Sequence, residues 1–365
     1  MKIDNRKDLF EYYESLLNNT YEKLRAGEDF EQGQNLLKTY LVESELADPR
    51  KMEPPLGYTS TVSKTNDPNL FKLKIKKEKQ VADFYIDSRN KRFWTFHTDG
   101  KSSFTDSFIL RSIRRPMNGL DHSWLSNSFL TDISSKYTFR GFSLKYDDKF
   151  EKKKKNEDLD VNKMSIKLWG TIAPEVINRL KGDPKLQHSI ALSGVGIKNI
   201  SEDSFDDFIL DDINFWGKFT ARGTSLDEHF SVFNHVRDKY NGDLSSAEKC
   251  WIEYPSSGNG IRVEGCPIKI TLKKSIKDID NFTQFLLSSR KPFRIWGVRN
   301  NIMEGYVKLN AIDLQTGGKV VMEICSDWLR IYLPKGSCGN IIFRLLTNIH
   351  HYYDSEAEVV IPNVQ

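Results

Sequence analysis

The spacing of apolar side chains divides the chain into stretches of two different periods. Near the N-terminus Leu9, Phe10, Tyr13, Leu16, Leu17, Thr20, Tyr21 and Leu24 recur every three or four positions, which predicts an amphipathic helix over about residues 6–26. Phe30, Leu36, Leu37, Tyr40, Leu41 and Leu46 continue that spacing after Gly27, so residues 1–48 read as a helical hairpin. Pro49, Pro54, Pro55, Gly57 and Pro68 then predict an extended connector across 47–69. From there the period is two. Phe71, Leu73 and Ile75 alternate with Lys72, Lys74 and Lys76, as a half-buried strand requires. Residues 81–86 and 92–96 follow as strands around a polar turn at 87–90, a hairpin signature. Trp124, Leu125, Phe129, Leu130 and Ile133 predict a helix over 120–136, and the lysine-rich 151–160 holds too few apolar residues to be anything but a flexible loop.

The second half mixes both periods. A helix is predicted from Thr171, with Pro174 in its first turn, to Leu180, where Gly182-Asp183-Pro184 stops it. Another covers 225–239, with Ser225 as its cap and Phe230, Phe233, Val236 and Tyr240 as its buried stripe. A turn at 256–260 separates two strands; residues 268–274 repeat the alternation of apolar and basic positions, and 309–313, 319–325 and 328–333 read as meander strands. Ile341, Ile342, Leu345, Leu346, Ile349 and Tyr353 define a last helix after Gly336 and Gly339. Three alternating stretches run into Trp-Gly, at Trp169-Gly170, Trp216-Gly217 and Trp296-Gly297, and predict tryptophan-filled core corners turned by glycine. The two lysine-faced strands hint at a duplication, but no repeat period is sustained. The expected fold is therefore α+β: an acidic N-terminal helical hairpin followed by mixed, largely antiparallel strand-rich domains with interspersed helices. Its expected divisions are a helical arm at 1–48, an extended linker at 49–70, a basic strand-rich domain at 71–150, a flexible loop at 151–163 and an α+β body at 164–365 ending in a helix.

Composition narrows the class. A chain of 365 residues, 38% hydrophobic and 28% charged, is long enough for two or three folded units. Its apolar clusters, such as 340–346, are broken by charge far short of the ~20 residues a spanning helix needs. The N-terminal residues carry charge and no apolar segment, which predicts an intracellular, cytoplasmic protein without membrane contact. Cys250, Cys266, Cys325 and Cys338 form no CxxC pair and read as core or incidental thiols.

Charge is segregated. Residues 1–50 carry 7 Lys/Arg against 11 Asp/Glu, residues 51–115 carry 14 against 7, and residues 259–300 carry 9 against 3. Between the basic stretches lie Glu202, Asp203, Asp206, Asp207, Asp211 and Asp212. The first basic region, Lys72, Lys74, Lys76, Lys77, Lys79, Arg89, Lys91, Arg92, Arg111, Arg114 and Arg115 with Trp94 and Phe96, pairs cations for phosphates with aromatics for bases. Lysines on a strand's outer face also serve only to keep a sheet soluble. Lys269, Lys273 and Lys274, with Arg290, Lys291 and Arg294, form a second candidate set.

Other motifs carry less. His229 and His235 are six apart on a predicted helix and face different ways, while His350-His351 near Asp354 lack further metal ligands in sequence. His97, His122 and His188 stand alone, and Asp121-His122-Ser123 holds triad residue types that three consecutive positions rarely converge. Gly317-Gly318-Lys319 is followed by Val320 where a phosphate loop needs Ser or Thr, and Gly258-Asn259-Gly260 lacks the third glycine of a dinucleotide site. Asp83, Asp87 and Asp99 with Lys101, or Asp313 and Glu323 with Lys319, are the carboxylates a metal-dependent nuclease would recruit, without diagnostic spacing. The expected function is a non-enzymatic subunit of a larger assembly, without cofactor or metal. It would contact nucleic acid through the basic strands and protein, or another copy, through the helical arm. A nuclease or related hydrolase and a pure protein-interaction subunit, for instance of a prokaryotic defence system, are the alternatives.

Overall fold

The computed structural model describes residues 3–25, 36–150, 163–257, 260–289 and 291–362. The chain begins with α1 (Arg6–Arg25), β1 (Leu37–Ser44), β2 (Thr59–Lys64), β3 (Leu70–Lys77), β4 (Gln80–Asp87) and β5 (Phe93–Thr98). Next come α2 (Ser102–Ile113), β6 (Leu120–His122), α3 (Asn127–Lys136), β7 (Thr138–Asp147), β8 (Lys163–Trp169) and α4 (Ala173–Lys181). They are followed by β9 (Leu192–Ile200), β10 (Phe208–Asn214), β11 (Lys218–Gly223), α5 (Leu226–Glu248), β12 (Ser256–Ser257) and β13 (Gly260–Ile261). The last are β14 (Ile268–Thr271), α6 (Ile279–Leu286), β15 (Ile295–Met303), β16 (Tyr306–Asp313), β17 (Lys319–Ile324), β18 (Trp328–Tyr332), α7 (Asn340–Tyr352) and β19 (Glu358–Val360). Among the described residues the strands form antiparallel sheets of 11 and 6 strands and one short hairpin, so the fold is α+β.

Two compact units are each assembled from separated segments. The first takes Met1–Ser123, Asp132–Arg140 and Gly194–Asp238; the second takes Trp124–Thr131, Gly141–Ser193 and Lys239–Gln365. In the first, strands run in the order β2-β3-β4-β5-β1-β11-β10-β9, and β6 adds to the end of β1. Every residue of β1 is buried. On one face Tyr40 and Val42 join Phe84, Trp94 and Phe96 in a core closed by Phe104, Phe108, Ile109 and Ile113 of α2. On the other face Tyr13 of α1 meets His97 at 6.0 Å, and Phe233 of α5 meets Phe219 at 5.1 Å.

This arrangement corrects the expected helical hairpin. Its second helix is strand β1, and residues 26–35 lie outside the described residues. A strand buried on both faces shows no alternation, so Leu36, Leu37, Tyr40, Leu41 and Leu46 imitate helical spacing. Nor is the first helix a free arm. Leu9, Tyr13 and Leu17 are buried against the unit's own sheet, and at roughly 1.5–3 kcal/mol per large apolar side chain they hold α1 there. The expected linker contains β2, the expected helix at 120–136 divides into β6 and α3, and α2 forms where the sequence pattern predicts no element. The divisions at 71–150 and 164–365 do not coincide with the units, because β1 and β9–β11 complete one sheet from both ends of the sequence. The loop expected at 151–160 lies outside the described residues.

The second unit is built on the sheet β15-β16-β17-β18-β14-β19. Its strands bury Leu309, Met322, Leu329, Ile331 and Ile270, and α7 is buried continuously from Asn340 to His351. A helix with no wet side must pair its polar groups internally. Arg344 therefore bonds Asp313, which also accepts from the Gln315 backbone N–H and the Thr316 hydroxyl at 2.9 Å each. His350 and His351 each bond a backbone carbonyl at 2.7 Å, those of Ala357 and Lys145. The chain continues past α7 into β19, so the body does not end in a helix.

The Trp-Gly corners are also corrected. Trp169 and Trp296 are 46% and 54% exposed, and the fully buried tryptophan of the first unit's core is Trp94. Trp169 lies across Gly141 of the neighbouring strand, where a Cβ would come within 2.1 Å of the ring. Only Trp216-Gly217 fits the expectation in part: Trp216 packs on Tyr40 at 5.7 Å, and Gly217 turns with φ 81°, its hydrogen face against the Leu41 carbonyl.

Burial keeps three imidazoles neutral: His97 is pushed down to about 3, and His350 and His351 to about 4. Since the unfolded groups titrate near 6.5, the unfolded chain binds more protons as pH falls below that value, so stability present at neutral pH is lost through the window from 6.5 downward. We predict a loss of about 2 kcal/mol per imidazole at pH 5. Urea unfolding curves at pH 7 and pH 5 measure it, and equal midpoints would contradict the assignment.

Candidate nucleic-acid interface

Strand β3 owes its chemistry to its period. Leu73 and Ile75 point into the α2-covered core, so Lys72, Lys74 and Lys76 occupy the opposite face. Register sets Thr59, Thr61 and Ser63 of β2 opposite Lys76, Lys74 and Lys72, and Val81, Asp83 and Tyr85 of β4 on the other flank. The result is a row of three lysines bordered by a row of hydroxyls. Lys74 and Lys76 are exposed, whereas Lys72 bonds Asp83 at 2.7 Å and lies 5.7 Å from the Tyr85 ring. The Asp83 carboxylate raises the Lys72 ammonium above its ordinary value.

The remaining cations of the first basic region do not join this row. Lys77 turns to the core side and stacks 5.5 Å over Tyr58, while Lys79 and Lys91 stand exposed in loops. Arg89 is held by Asp87 at 2.8 Å, Arg92 by Glu43 at 2.8 Å, and Arg115 by Glu53 and the Pro54 carbonyl. Arg111 and Arg114 are exposed at the end of α2, the helix that covers the opposite face. Trp94 and Phe96 are core residues and offer no stacking surface. In the second unit Lys269 sits on the outer sheet face beside Arg330, both over Trp328, at 5.9 and 4.6 Å. Lys273 pairs with Glu358 at 3.4 Å and Lys274 with Asp148 at 2.6 Å, and Asp354 accepts from both backbone N–H groups. These two lie beyond the end of β14, so the expected lysine-faced strand at 268–274 keeps only Lys269. Arg290 lies outside the described residues.

The carboxylates considered for metal chemistry are engaged separately. Asp83 bonds Lys72, Asp87 bonds Arg6 and Arg89, Asp99 accepts from the Tyr12 hydroxyl at 2.7 Å, and Asp313 is buried on Arg344. Among the described residues no three His, Cys, Asp or Glu side chains converge as metal ligands.

Two buried polar clusters of the first unit escape sequence reading. In one, Thr39 lies between His229 Nε2 at 2.8 Å and His97 Nδ1 at 3.1 Å, and His229 Nδ1 bonds Asp211 at 2.9 Å. A carboxylate accepts only, so Nδ1 of His229 carries a proton, Nε2 accepts from the Thr39 hydroxyl, and Thr39 accepts from His97; these tautomers are inferred from the network. The order Asp–His–hydroxyl is that of a nucleophilic triad, but His229 and Asp211 are both 0% exposed, and the chain ties β5, β1, β10 and α5 together. In the other, Lys38 bonds the Leu36 carbonyl at 2.8 Å, while Lys218 and Tyr40 both bond Asp106 at 2.7 Å. Burial, and then the Lys218 charge, push Lys38 down to about 8.

The architecture is that of an α+β protein with two antiparallel sheets; among the described residues no helix is long and apolar enough to cross a membrane. The model of the MJECL33-like protein family matches residues 1–364, and the chain belongs to that family. It is similar to the uncharacterized protein MJECL33 of Methanocaldococcus jannaschii, at 30% identity over 388 aligned positions that cover 97% of this chain and 93% of the relative. Against solved structures, the bacteriophytochrome RpBphP3 of R. palustris aligns over 83% of this chain and 85% of its own at 9% identity, with a TM-score of 0.11 that carries no shared fold.

The Lys38 cluster has a measurable consequence. Its folded value lies below the unfolded 10.5, so from pH 8 to about 10.5 the unfolded chain holds the extra proton and stability rises with pH. We predict that the stability difference between wild type and Lys38→Met grows by about 3 kcal/mol across that window. Chemical denaturation of both chains at its two ends measures it, and a constant difference would contradict the assignment.

Proposed function

We propose that this protein is a nucleic-acid-contacting subunit of a larger assembly, and that the open face of β2, β3 and β4 is its phosphate-binding surface. The observation that carries this reading is the alignment of Lys72, Lys74 and Lys76 in one row beside the hydroxyls of Thr59, Thr61 and Ser63. Phosphates take both ammonium groups and hydroxyl donors, and such contacts fix position without reading sequence. Because Lys72 is shared with Asp83, the exposed Lys74 and Lys76 dominate the field there. Cytoplasmic residence fits the same reading. Helix α1 would offer a protein partner its polar side, since its apolar side is spent on its own sheet.

The test is binding of the purified chain to labelled single- and double-stranded DNA and RNA across a salt series, with and without magnesium, followed on denaturing gels. Lys74→Glu with Lys76→Glu is expected to weaken binding and to flatten the log–log salt slope by about 2, near 0.9 for each phosphate that the variant no longer neutralises. Unchanged affinity and slope in the double variant would remove this reading. Magnesium-dependent cleavage would replace it with the nuclease one.

A further inference from the structure

We propose that β15 is the edge through which two copies of this chain pair, antiparallel, so that the six-stranded sheet continues from one copy into the other. Among the described residues β15 is the terminal strand of its sheet, 9 residues long, and pairs with β16 alone. Which of its backbone groups look outward follows from register. Leu314 N–H donates to the Arg294 carbonyl at 2.9 Å in the frame that sets Ile295 opposite Asp313, so even-numbered residues bond β16. Odd-numbered residues then direct their N–H and C=O groups away from it. Ile295 agrees, its carbonyl accepting from Ser289 N–H at 3.1 Å, outside β16. Gly297, Arg299 and Asn301 are left to present donors and acceptors along the edge, up to the irregularity between Asn301 and Met303.

Exposed edges are ordinarily blunted by shortness, lysine, proline or charge. The opposite edge, β19, is only 3 residues long, and the edges of the other sheet, β2 and β8, read Thr-Ser-Thr-Val-Ser-Lys and Lys-Met-Ser-Ile-Lys-Leu-Trp, each carrying lysine. By contrast β15 has Val298, Ile302 and Met303 at 59%, 51% and 66% exposure, and Trp296 at 54% sits opposite the exposed Ile312. Its one charge, Arg299, is neutralised locally by Asp280 and bonds the Thr283 hydroxyl at 3.3 Å.

That charge balance points to a second copy. A near-neutral strand offers phosphates nothing, and two copies bring no net like charge together. An antiparallel edge is also self-complementary, because a two-fold axis sets its outward donors opposite its own acceptors. Pairing odd residues with odd ones places Trp296, Val298, Asn300 and Ile302 of both copies on one continuous face. This inference is independent of the lysine row, so neither test decides the other.

Sedimentation of the full chain from 1 to about 100 µM tests it, a concentration range suited to weak dimers. We expect twice the 42.3 kDa chain mass at the upper end. Val298→Lys and Val298→Glu are each expected to weaken dimerisation at least tenfold with unchanged circular dichroism and melting, while an equimolar mixture of the two regains the dimer. Regain also excludes misfolding as the cause. A wild-type monomer at the highest concentration, a Val298→Lys dimer as tight as wild type, or a monomer that takes up an apolar strand peptide in place of its copy would each overturn the proposal.

Discussion

Burial of β1 on both faces is the constraint from which most of the first unit follows. A strand in that position cannot leave a polar group to water, so each polar side chain on it needs an internal partner. Lys38 takes a backbone carbonyl, Thr39 bridges two imidazoles, and Glu43 bonds Arg92. Both faces also need a cover, which is why α2 and α1 exist as packed helices. In the second unit the same demand falls on α7, and the Arg344–Asp313 pair answers it. Replacing either member alone would strand a charge in the core, at a cost of about 3–5 kcal/mol.

The parts legible in the sequence are those with one wet side. Strands β3, β4, β16, β17 and β18 alternate because one face is exposed, and period two finds them within about three residues. β1 was illegible for the opposite reason, and its Leu and Tyr residues fitted a helix. The row at Lys72, Lys74 and Lys76 was visible because it needs only local alternation. The signal for Lys38 and Thr39 was a lysine and a threonine inside an apolar run, but His97 and His229, which bond Thr39, and Asp211 behind His229 are distant in sequence. Trp169 and Trp296 misled because Trp-Gly states a size and a hinge, without saying which face the ring takes.

Counting cations overstated the basic surface. Arg89, Arg92 and Arg115 each meet a carboxylate within the fold, as Lys274 does in the second basic stretch, so the field of the 51–115 stretch on the strand face reduces largely to Lys74, Lys76 and scattered loop lysines, with Arg111 and Arg114 exposed at the end of α2 across the sheet. The two exposed surfaces consequently differ in kind. The β2–β4 face carries the exposed Lys74 and Lys76 beside hydroxyls, while β15 is largely apolar with one charge, Arg299, so the two proposals made for them rest on unlike chemistry.

The interleaving of the two units bears on how the chain is made. Lys38 of β1 faces Thr220 of β11, so the central strand of the first sheet leaves the ribosome long before the neighbour that closes one side of it. At about 5–20 residues per second the delay is roughly 10–35 s. During that interval β1 has β5 but not β11, and an apolar strand with an open flank is the kind of segment that chaperones hold. Neither unit can be obtained by a single cut in the gene, because each draws on segments from both sides of the other.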